Sequence, residues 1–251
     1  TVTPQTLRAL LDAGRVRSPL GAEDLAFLKH FGVLRSGVAL NGDLLEFDGV
    51  RCSANLLDEE AFAQVSQNML GPRLKGGIFM TGGFFIGPRD FYERLRSMPP
   101  QELAKIDMTR IDFINQLYGQ EDLKRAQRVK ARFMNTTMMV TLLGAAASDA
   151  LESGQVVSGV GGQYNFVAMA HALPDARLLM MLRATHDNKD GLKSSIVWNY
   201  GHVTIPRHLR DIVVTEYGVA DLLGQSDSEV IKRLIAVADS RFQDELVKEA
   251  K

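Results

Sequence analysis

Cysteine is nearly absent from the sequence, since Cys52 is the only one among 251 residues. A single thiol excludes an intrachain disulfide and a zinc site built from several thiols, and it favours a reducing, cytoplasmic setting. Apolar runs are also short, and none approaches the ~20 residues that a membrane-spanning helix needs. The opening residues Thr1-Val2-Thr3-Pro4 lack the basic start and apolar core of a signal peptide. We therefore expect a soluble protein that is not secreted.

An excess of charge of either sign is missing as well. Lysine and arginine total 29 and aspartate and glutamate total 30, so the formal net charge is -1. Such a balance gives no overall field that would attract nucleic acid or an anionic membrane. Any anionic ligand must therefore be held by a local site.

The spacing of the histidines argues against a metal site. No two of them stand at i and i+4 on an expected helix beside suitable carboxylates. We therefore expect no metal and no bound cofactor. The five histidines are His30, His171, His186, His202 and His208.

Length and hydrophobicity allow one large α/β domain or two packed domains, since 45% of the residues are hydrophobic. The chain opens without methionine inside a segment that resembles a helix cap. This start suggests a piece of a longer polypeptide.

Residues 1–75 are expected to form a small N-terminal part of helices and a β-ribbon. Apolar spacing predicts two short helices within residues 1–35, and another from Asp58 to Leu70. Between Val38 and Cys52 the pattern changes to short alternating runs. The dipeptides Asn41-Gly42 and Asp48-Gly49 favour tight hairpin turns there.

From residue 76 to residue 251, strands, glycine turns and helices alternate, which is typical of βα units around a mostly parallel sheet. Strands are predicted at 78–81, 84–86, 155–158, 178–183, 195–200 and 212–215, with another beginning near residue 132. Helices are predicted at 89–98, around 113–128, at about 166–173, and from Ser226 to about 238. Ser226 and Glu229 have the spacing of a capping box.

The segment Ser158-Gly159-Val160-Gly161-Gly162-Gln163 is the most informative turn, since it is expected to join a strand to a helix. Such a turn leaves backbone N–H groups unpaired at the positive end of a helix, and this suits an anion or a developing oxyanion. The spacing differs from the dinucleotide fingerprint, and no phosphate-loop lysine follows. The glycines could equally serve only to allow a sharp turn with close packing.

Three further polar residues are candidates for the site. Glu216 follows the apolar run 212–215, at the strand end where open α/β sheets collect ligand-binding groups. Asn135 follows another strand-like run and offers a neutral donor and acceptor, although a turn residue is the stronger interpretation. Arg207 could bind a carboxylate or phosphate, or form a surface salt bridge.

Several blocks of the sequence together resemble the acetyl-CoA hydrolase/transferase family, in its C-terminal domain, including the 4-hydroxybutyrate-type CoA-transferases. The resemblance is strong from Arg132 to Leu246 and weaker from Gly76 to Arg128. Its blocks are Ser158 to Gln163 with Asn165-Phe166, Thr204-Ile205-Pro206-Arg207, Val213 to Ala220, and Arg241-Phe242 before Glu245-Leu246.

This resemblance implies a CoA-transferase-like α/β fold, a mostly parallel sheet flanked by helices, and a covalent reaction. In the family a glutamate attacks the acyl-CoA thioester and forms an acyl-glutamyl anhydride, and the CoA thiolate then returns to form a glutamyl-CoA thioester. A second carboxylic acid then takes the CoA, or water takes the acyl group. By resemblance, Gly159, Val160, Gly161, Gly162, Gln163 and Arg207 bind substrate. By the same resemblance, Asn135 matches a family asparagine near the reaction centre. Glu216 matches an active-site glutamate of the family that is not the nucleophile.

The nucleophile itself is not evident. The resemblance places it in a Ser/Thr-Glu-Met triplet upstream of the matched blocks, and the sequence has no such triplet. Glu23 and Glu46 lack that context and are expected to be solvated charges. We therefore expect the nucleophile upstream of Thr1, in the N-terminal half of the same polypeptide.

Three functions follow as hypotheses. The first is part of a CoA-transferase or acyl-CoA hydrolase that acts on acyl-CoA and small carboxylates, with CoA as a substrate and a homodimer as one arrangement. The second is an inactive module that binds acyl-CoA, and the third is an assembly role. The resemblance favours the first.

Overall fold

The computed structural model describes all 251 residues. The chain divides into two compact units between Met108 and Thr109. The boundary predicted between residues 75 and 76 lies inside the first unit and stays a prediction.

The first unit contains five helices and five strands. They are α1 (Pro4–Asp12), α2 (Ala22–His30), β1 (Ala39–Asn41), β2 (Leu44–Phe47), β3 (Val50–Ser53), α3 (Glu59–Asn68), β4 (Met80–Gly82), α4 (Arg89–Ser97), α5 (Pro100–Leu103) and β5 (Ile106–Met108). The two N-terminal helices, the ribbon and the helix after Asp58 are confirmed.

The ribbon forms where the turn dipeptides predict it. Strands β1, β2 and β3 pair antiparallel in sequence order. Gly42, Asp48 and Gly49 have φ angles of 61°, 50° and 81°, which is the left-handed region that tight hairpin turns require. Leu45 lies opposite Cys52 and both side chains are buried, so the ribbon closes one face of the core of this unit.

Two glycines bring distant backbone segments together in the first unit. The N–H of Gly71 donates to Val33 O over 2.9 Å, and a Cβ atom on Gly71 would lie 2.1 Å from Gly32 O. Because the obstructing atom belongs to the backbone, it cannot move aside as a side chain can. Glycine at position 71 is therefore required by the close approach.

The second unit contains five α-helices, one short 3-10 helix and nine strands. They are α6 (Ile111–Asn115), α7 (Glu121–Gln127), β6 (Arg132–Thr136), β7 (Met139–Thr141), β8 (Ala146–Ala147), α8 (Gln163–Ala172), β9 (Arg177–Met181), β10 (Thr185–Asn188), β11 (Gly191–Ser194), β12 (Ile196–Val197), the 3-10 helix Arg207–Leu209, β13 (Ile212–Thr215), β14 (Gly218–Asp221), α9 (Asp227–Ala236) and α10 (Ser240–Glu249).

The largest sheet has the strand order β14-β13-β9-β6. Strand β9 pairs parallel with both β6 and β13, and only the edge strand β14 is antiparallel. The mostly parallel sheet is therefore confirmed. Its carboxyl ends, at Thr136, Met181 and Thr215, lie along one edge.

Alternating burial explains how this sheet packs. In β9 the side chains of Leu178 and Met180 are buried while their neighbours are partly exposed. They join a core that includes Val167 of α8, Val213 of β13 and Leu234 of α9. Side chains at every second strand position thus bury one sheet face against helices.

An ion-pair network holds the opposite, amino-terminal edge. Asp211 is 5% exposed, and its carboxylate accepts hydrogen bonds from the Arg177 guanidinium at 2.6 Å and from Leu178 N at 2.6 Å. Arg177 also reaches Asp221 over 2.6 Å. The hydrogen bonds that Arg177 donates to Asp211 and Asp221 raise its pKa, and they join three adjacent strands through one charge.

Four predicted elements differ from the structure. Residues 84–86 and 155–158 form no strand, since Phe84 and Ile86 are exposed and Val156 makes only an isolated bridge with Ala150. The strand predicted at 195–200 shortens to β12, and the helix expected around 113–128 is split into α6 and α7. Between α6 and α7, Gly119 and Gln120 have φ angles of 63° and 68°, which ends the helical conformation there.

None of the helices reaches a length and apolar character sufficient to cross a bilayer.

We expect Gly71→Ala to lower the free energy of unfolding by about 3 kcal/mol, because the added Cβ overpacks against the Gly32 carbonyl. Urea unfolding followed by circular dichroism measures this loss. Gly77→Ala is the matched control, since its Cβ would meet nothing within 4 Å. Equal unfolding midpoints for the two variants would contradict the prediction.

Candidate functional site

The carboxyl edge of the parallel strands places Asn135 and Glu216 on the same side of the sheet. Asn135 lies in β6 opposite Met180 of β9, and Glu216 directly follows β13. Since adjacent strands lie about 4.8 Å apart, the backbones that carry the two residues are separated by roughly 10 Å.

Glu216 is held by its neighbours while its carboxylate stays exposed. One carboxylate oxygen, Oε2, accepts a hydrogen bond from Ala184 N at 2.9 Å, and the other makes none within the protein. The preceding Thr215 donates its hydroxyl to Val237 O at 2.6 Å. The turn is thereby fixed with one oxygen of Glu216 open.

The residue after Glu216 anchors the same turn. Tyr217 donates its hydroxyl to Asp239 Oδ2 over 2.7 Å, and Arg241 binds the same carboxylate at 2.6 Å. Arg241, and after it Tyr217, hold the pKa of Asp239 far below its ordinary value. The hydrogen bond to Asp239 raises the pKa of Tyr217. Asp239 is therefore charged and Tyr217 neutral at neutral pH, as a stable anchor requires.

The glycine loop, residues 158–162, leads directly into α8. The backbone N–H groups of residues 159 to 162 donate no hydrogen bond, and those of Tyr164 and Asn165 in the first turn also donate none. Gly161 has φ +60°, and a Cβ there would meet nothing within 4 Å. The loop therefore presents unpaired donors at an exposed helix start, as the sequence predicts.

Gln163 connects this loop to the sheet edge. Its side chain is 6% exposed and donates from Nε2 to Thr136 O over 2.7 Å, so α8 begins over the end of β6. Two buried polar atoms nearby have no partner, namely Gln163 Oε1 and Asn135 Nδ2. Such atoms are rare in folded proteins, and here they are one acceptor and one donor enclosed near the end of β6.

A cavity of 830 Å³ opens at this edge of the sheet, and Glu216 lines it. Its walls combine apolar side chains, including Met138 and Leu192, with the polar side chains of Arg183 and Tyr200. Asn135 and the glycine loop are not among its lining residues. The structure thus brings Glu216 to a cavity, and Asn135 and Gln163 to the end of β6, where the glycine loop enters α8.

Arg207 does not join this group. It belongs to the 3-10 helix before β13, and its guanidinium binds Asp227 Oδ2 at 2.7 Å on the surface. Four strand residues, 212–215, separate it from Glu216, or about 13 Å along the strand. The surface salt bridge is the alternative that the structure shows. Glu23 and Glu46, the two glutamates of the first unit that were considered as nucleophiles, are ion-paired with Arg17 and Arg51.

Sequence reasoning missed the group of residues that anchors the glycine loop. Asp149 O accepts hydrogen bonds from Val157 N and Ser158 N, at 2.8 and 3.1 Å, just before the loop. The Asp149 carboxylate binds His202 Nε2 at 2.9 Å and accepts the Thr204 hydroxyl. The hydrogen bond from Thr204, then that from His202, lowers the pKa of Asp149. Because Asp149 and His202 are 53 residues apart, no local spacing could reveal the pair.

Comparison with known proteins shows which family the chain belongs to. A model of the acetyl-CoA hydrolase/transferase C-terminal domain matches residues 87–250, well over half of the chain. The chain belongs to the acetyl-CoA hydrolase/transferase family. The resemblance found in the sequence is thereby confirmed.

Relatives in the acetyl-CoA hydrolase/transferase family are much longer than this chain. The 4-hydroxybutyrate coenzyme A transferase of Clostridium kluyveri is 27% identical over 177 residues, covering 70% of this chain and 38% of that protein. The acetyl-CoA hydrolase of Saccharomyces cerevisiae is 33% identical over 106 residues, covering 41% of this chain and 19% of that protein.

A solved structure supports the same fold for the family member described here. The crystal structure of RipA from Yersinia pestis superposes with a TM-score of 0.54 at 30% identity, covering 68% of this chain and 36% of that one. The chain thus spans between 19% and 38% of the length of these three relatives.

We expect Asp149→Asn to lose stability at neutral pH, because the amide cannot replace the charged acceptor of His202 and Thr204. Folding lowers the pKa of Asp149, so its charged carboxylate stabilises the folded state at every pH above the ordinary pKa of 3.8. This stabilisation is lost as the pH falls from 3.8 through the lower pKa that Asp149 has in the folded state. The gap in unfolding free energy between wild type and variant should therefore shrink below pH 3.8.

Urea unfolding at a series of pH values measures that gap. Asp190→Asn is the control, because the Asp190 carboxylate is exposed and makes no hydrogen bond. A gap that stays constant down to the lowest pH would contradict the assigned role of Asp149.

Proposed function

We propose that this chain forms the acyl-binding part of a CoA-transferase or acyl-CoA hydrolase active site. The observation that carries the proposal is the row of unpaired backbone N–H groups at the glycine loop, beside the unpaired donor of Asn135. An acyl-CoA thioester carbonyl becomes an oxyanion when a nucleophile attacks it, and fixed N–H donors stabilise that charge.

The reaction proceeds through the covalent route of the family. A glutamate carboxylate attacks the thioester carbonyl, the carbonyl oxygen gains negative charge, and CoA leaves as a thiolate to give an acyl-glutamyl anhydride. The thiolate then attacks the glutamyl carbonyl, releasing the acyl group as a carboxylate and leaving a glutamyl-CoA thioester. A second carboxylate takes CoA by the reverse steps, or water ends the cycle.

Each residue of the site has a role in this scheme. The N–H groups of Gly159, Val160, Gly161 and Gly162 bind the carbonyl oxygen as it becomes charged, and Asn135 Nδ2 adds a further donor. Gln163 holds the loop on β6 through its bond to Thr136 O. The open oxygen of Glu216 accepts a hydrogen bond from the water that ends the hydrolytic cycle.

The attacking glutamate comes from the N-terminal half of the same polypeptide in this proposal. The candidate carboxylates Glu23 and Glu46 are ion-paired, and no Ser/Thr-Glu-Met triplet is present in the 251 residues. We place the activity in the cytoplasm, with acyl-CoA and small carboxylates as substrates, CoA as the transferred group, and a homodimer as one way to complete the site.

A catalytically inactive module that binds acyl-CoA is the second candidate. The observation in its favour is the same missing triplet. Such a module would bind acyl-CoA as the enzyme does, but it would not convert acyl-CoA to product.

We expect Gly161→Val to abolish the binding of acetyl-CoA while the fold is retained. Its Cβ would meet no protein atom, so the side chain occupies the space beside the unpaired N–H groups, and the strain of valine at φ +60° falls on an exposed loop. Isothermal titration calorimetry measures the binding, and circular dichroism the fold. Gly154→Val is the matched control, since Gly154 also has positive φ, at +84°, and open space around it. Wild-type affinity in Gly161→Val would remove the loop from the site.

We expect the 251-residue chain to form no covalent CoA adduct when it is incubated with acetyl-CoA, because it lacks the nucleophile. Intact mass spectrometry before and after hydroxylamine treatment checks this. A hydroxylamine-labile adduct would show that the nucleophilic carboxylate lies within these residues, and Glu216→Gln would then test whether Glu216 is that carboxylate.

A further inference from the structure

Asn115, at the end of α6, lies against the glycine loop. A Cβ on Gly162 would be 2.6 Å from Asn115 Nδ2, 3.0 Å from its Cγ and 3.2 Å from its Oδ1. Gly162 has φ −89° and ψ 6°, a conformation open to other residues. The Asn115 carboxamide therefore lies in the space that a side chain at position 162 would fill, whereas Gly161 needs glycine for its positive φ.

Two basic side chains fix the backbone on both sides of Asn115. Lys124, which is 1% exposed, donates from Nζ to Gln116 O and Tyr118 O, both at 2.8 Å. Arg128 donates from Nη2 to Phe113 O and Ile114 O, both at 3.1 Å.

Lys124 and Arg128 direct their charged groups to the segment 113–118 and to its neighbours. The Lys124 ammonium also lies 4.8 Å from the centre of the Phe113 ring, and Arg128 contacts Met169 of α8. Burial lowers the pKa of both basic groups, as expected for charges bound mainly by neutral carbonyl dipoles. The result is that Asn115 has a fixed place relative to α8.

The Asn115 carboxamide itself has no hydrogen-bond partner in the protein. It is half-buried, and it stands beside the unpaired N–H groups of the loop and the helix that begins with Gln163. Gln163, the first residue of α8, is 6% exposed; its Nε2 donates to Thr136 O, and its Oε1 is a second unpartnered amide atom at the start of this helix. An unpaired amide on a fixed backbone segment, beside unpaired N–H donors, is suited to binding.

We infer that Asn115 is a further substrate-binding residue of this site, donating from Nδ2 to the thioester carbonyl oxygen that the glycine loop binds. Lys124 and Arg128 act through it as positioning residues. The inference rests on the proposed function, since it assigns Asn115 to the acyl-CoA ligand of that function.

Calorimetric binding of acetyl-CoA and of free CoA to the 251-residue chain tests the inference. Free CoA has the same nucleotide and pantetheine groups but no acyl carbonyl. Asn115→Asp keeps the shape of the side chain and replaces the donor by a carboxylate, which repels the carbonyl oxygen. A negative charge near the start of α8 also favours folding.

Asn115→Asp should weaken acetyl-CoA binding by about 10-fold or more, as expected for a lost hydrogen bond and a new repulsion. Its affinity for free CoA should stay within about twofold of wild type. Asn115→Ala should also weaken the binding of acetyl-CoA and not that of free CoA, but with a smaller loss of affinity. Gln116→Glu is the matched control, since it makes the same chemical change one residue away, and it should leave both affinities unchanged.

The alternative outcomes separate the two proposals. If both Asn115 variants bind both ligands as wild type does, or lose both equally, Asn115 has no selective role towards the acyl carbonyl and the inference is overturned while the proposed function stands. If the wild-type chain does not bind acetyl-CoA more tightly than CoA, the acyl-binding function of the loop fails, and the assignment of Asn115 is overturned with it.

Discussion

The parallel pairing of β6, β9 and β13 is the constraint on which the site depends. Strands that run in the same direction end at the same edge, so residues far apart in the chain meet there without any direct bond between them. The register is held from the other edge, where the buried carboxylate of Asp211 binds both the Arg177 guanidinium and Leu178 N. Loss of that register would separate Asn135 from Glu216.

The polar groups of the site are mostly neutral dipoles. The loop contributes backbone N–H groups, and Asn115, Asn135 and Gln163 contribute carboxamides. A thioester carbonyl is neutral before attack and negative during it, so fixed dipoles bind the charged form more strongly than the ground state. The predicted cation, Arg207, is paired with Asp227 on the surface, and the cavity that Glu216 lines has a different cation, Arg183, in its wall.

Full charges are used in this protein to hold backbone segments. Lys124 and Arg128 fix the segment around Asn115, Asp149 fixes the start of the glycine loop, and Asp239 fixes the turn after Glu216. Each of these charges is satisfied by its structural partners. This division leaves the neutral groups unpaired and available, which is how a site can be rigid and still have free donors.

The sequence alone determined the features that depend on near neighbours. The hairpin turns at Gly42 and Gly49, the helix start at Ser226 and the strand 212–215 follow from local steric preference, capping and apolar runs. The family, too, could be recognised from ordered blocks of residues, and its domain model matches the same region.

Only the tertiary structure decided which polar groups meet. Asn115 reaches Gly162 across 47 positions and Asp149 reaches His202 across 53, so no spacing in the sequence indicates either contact. The segment 155–158 has the composition of a strand but finds no neighbouring strand, and Arg207 finds a carboxylate on the surface. The physical reason is that strand pairing and side-chain contacts are made between distant segments, whereas turns and caps are made within a few residues.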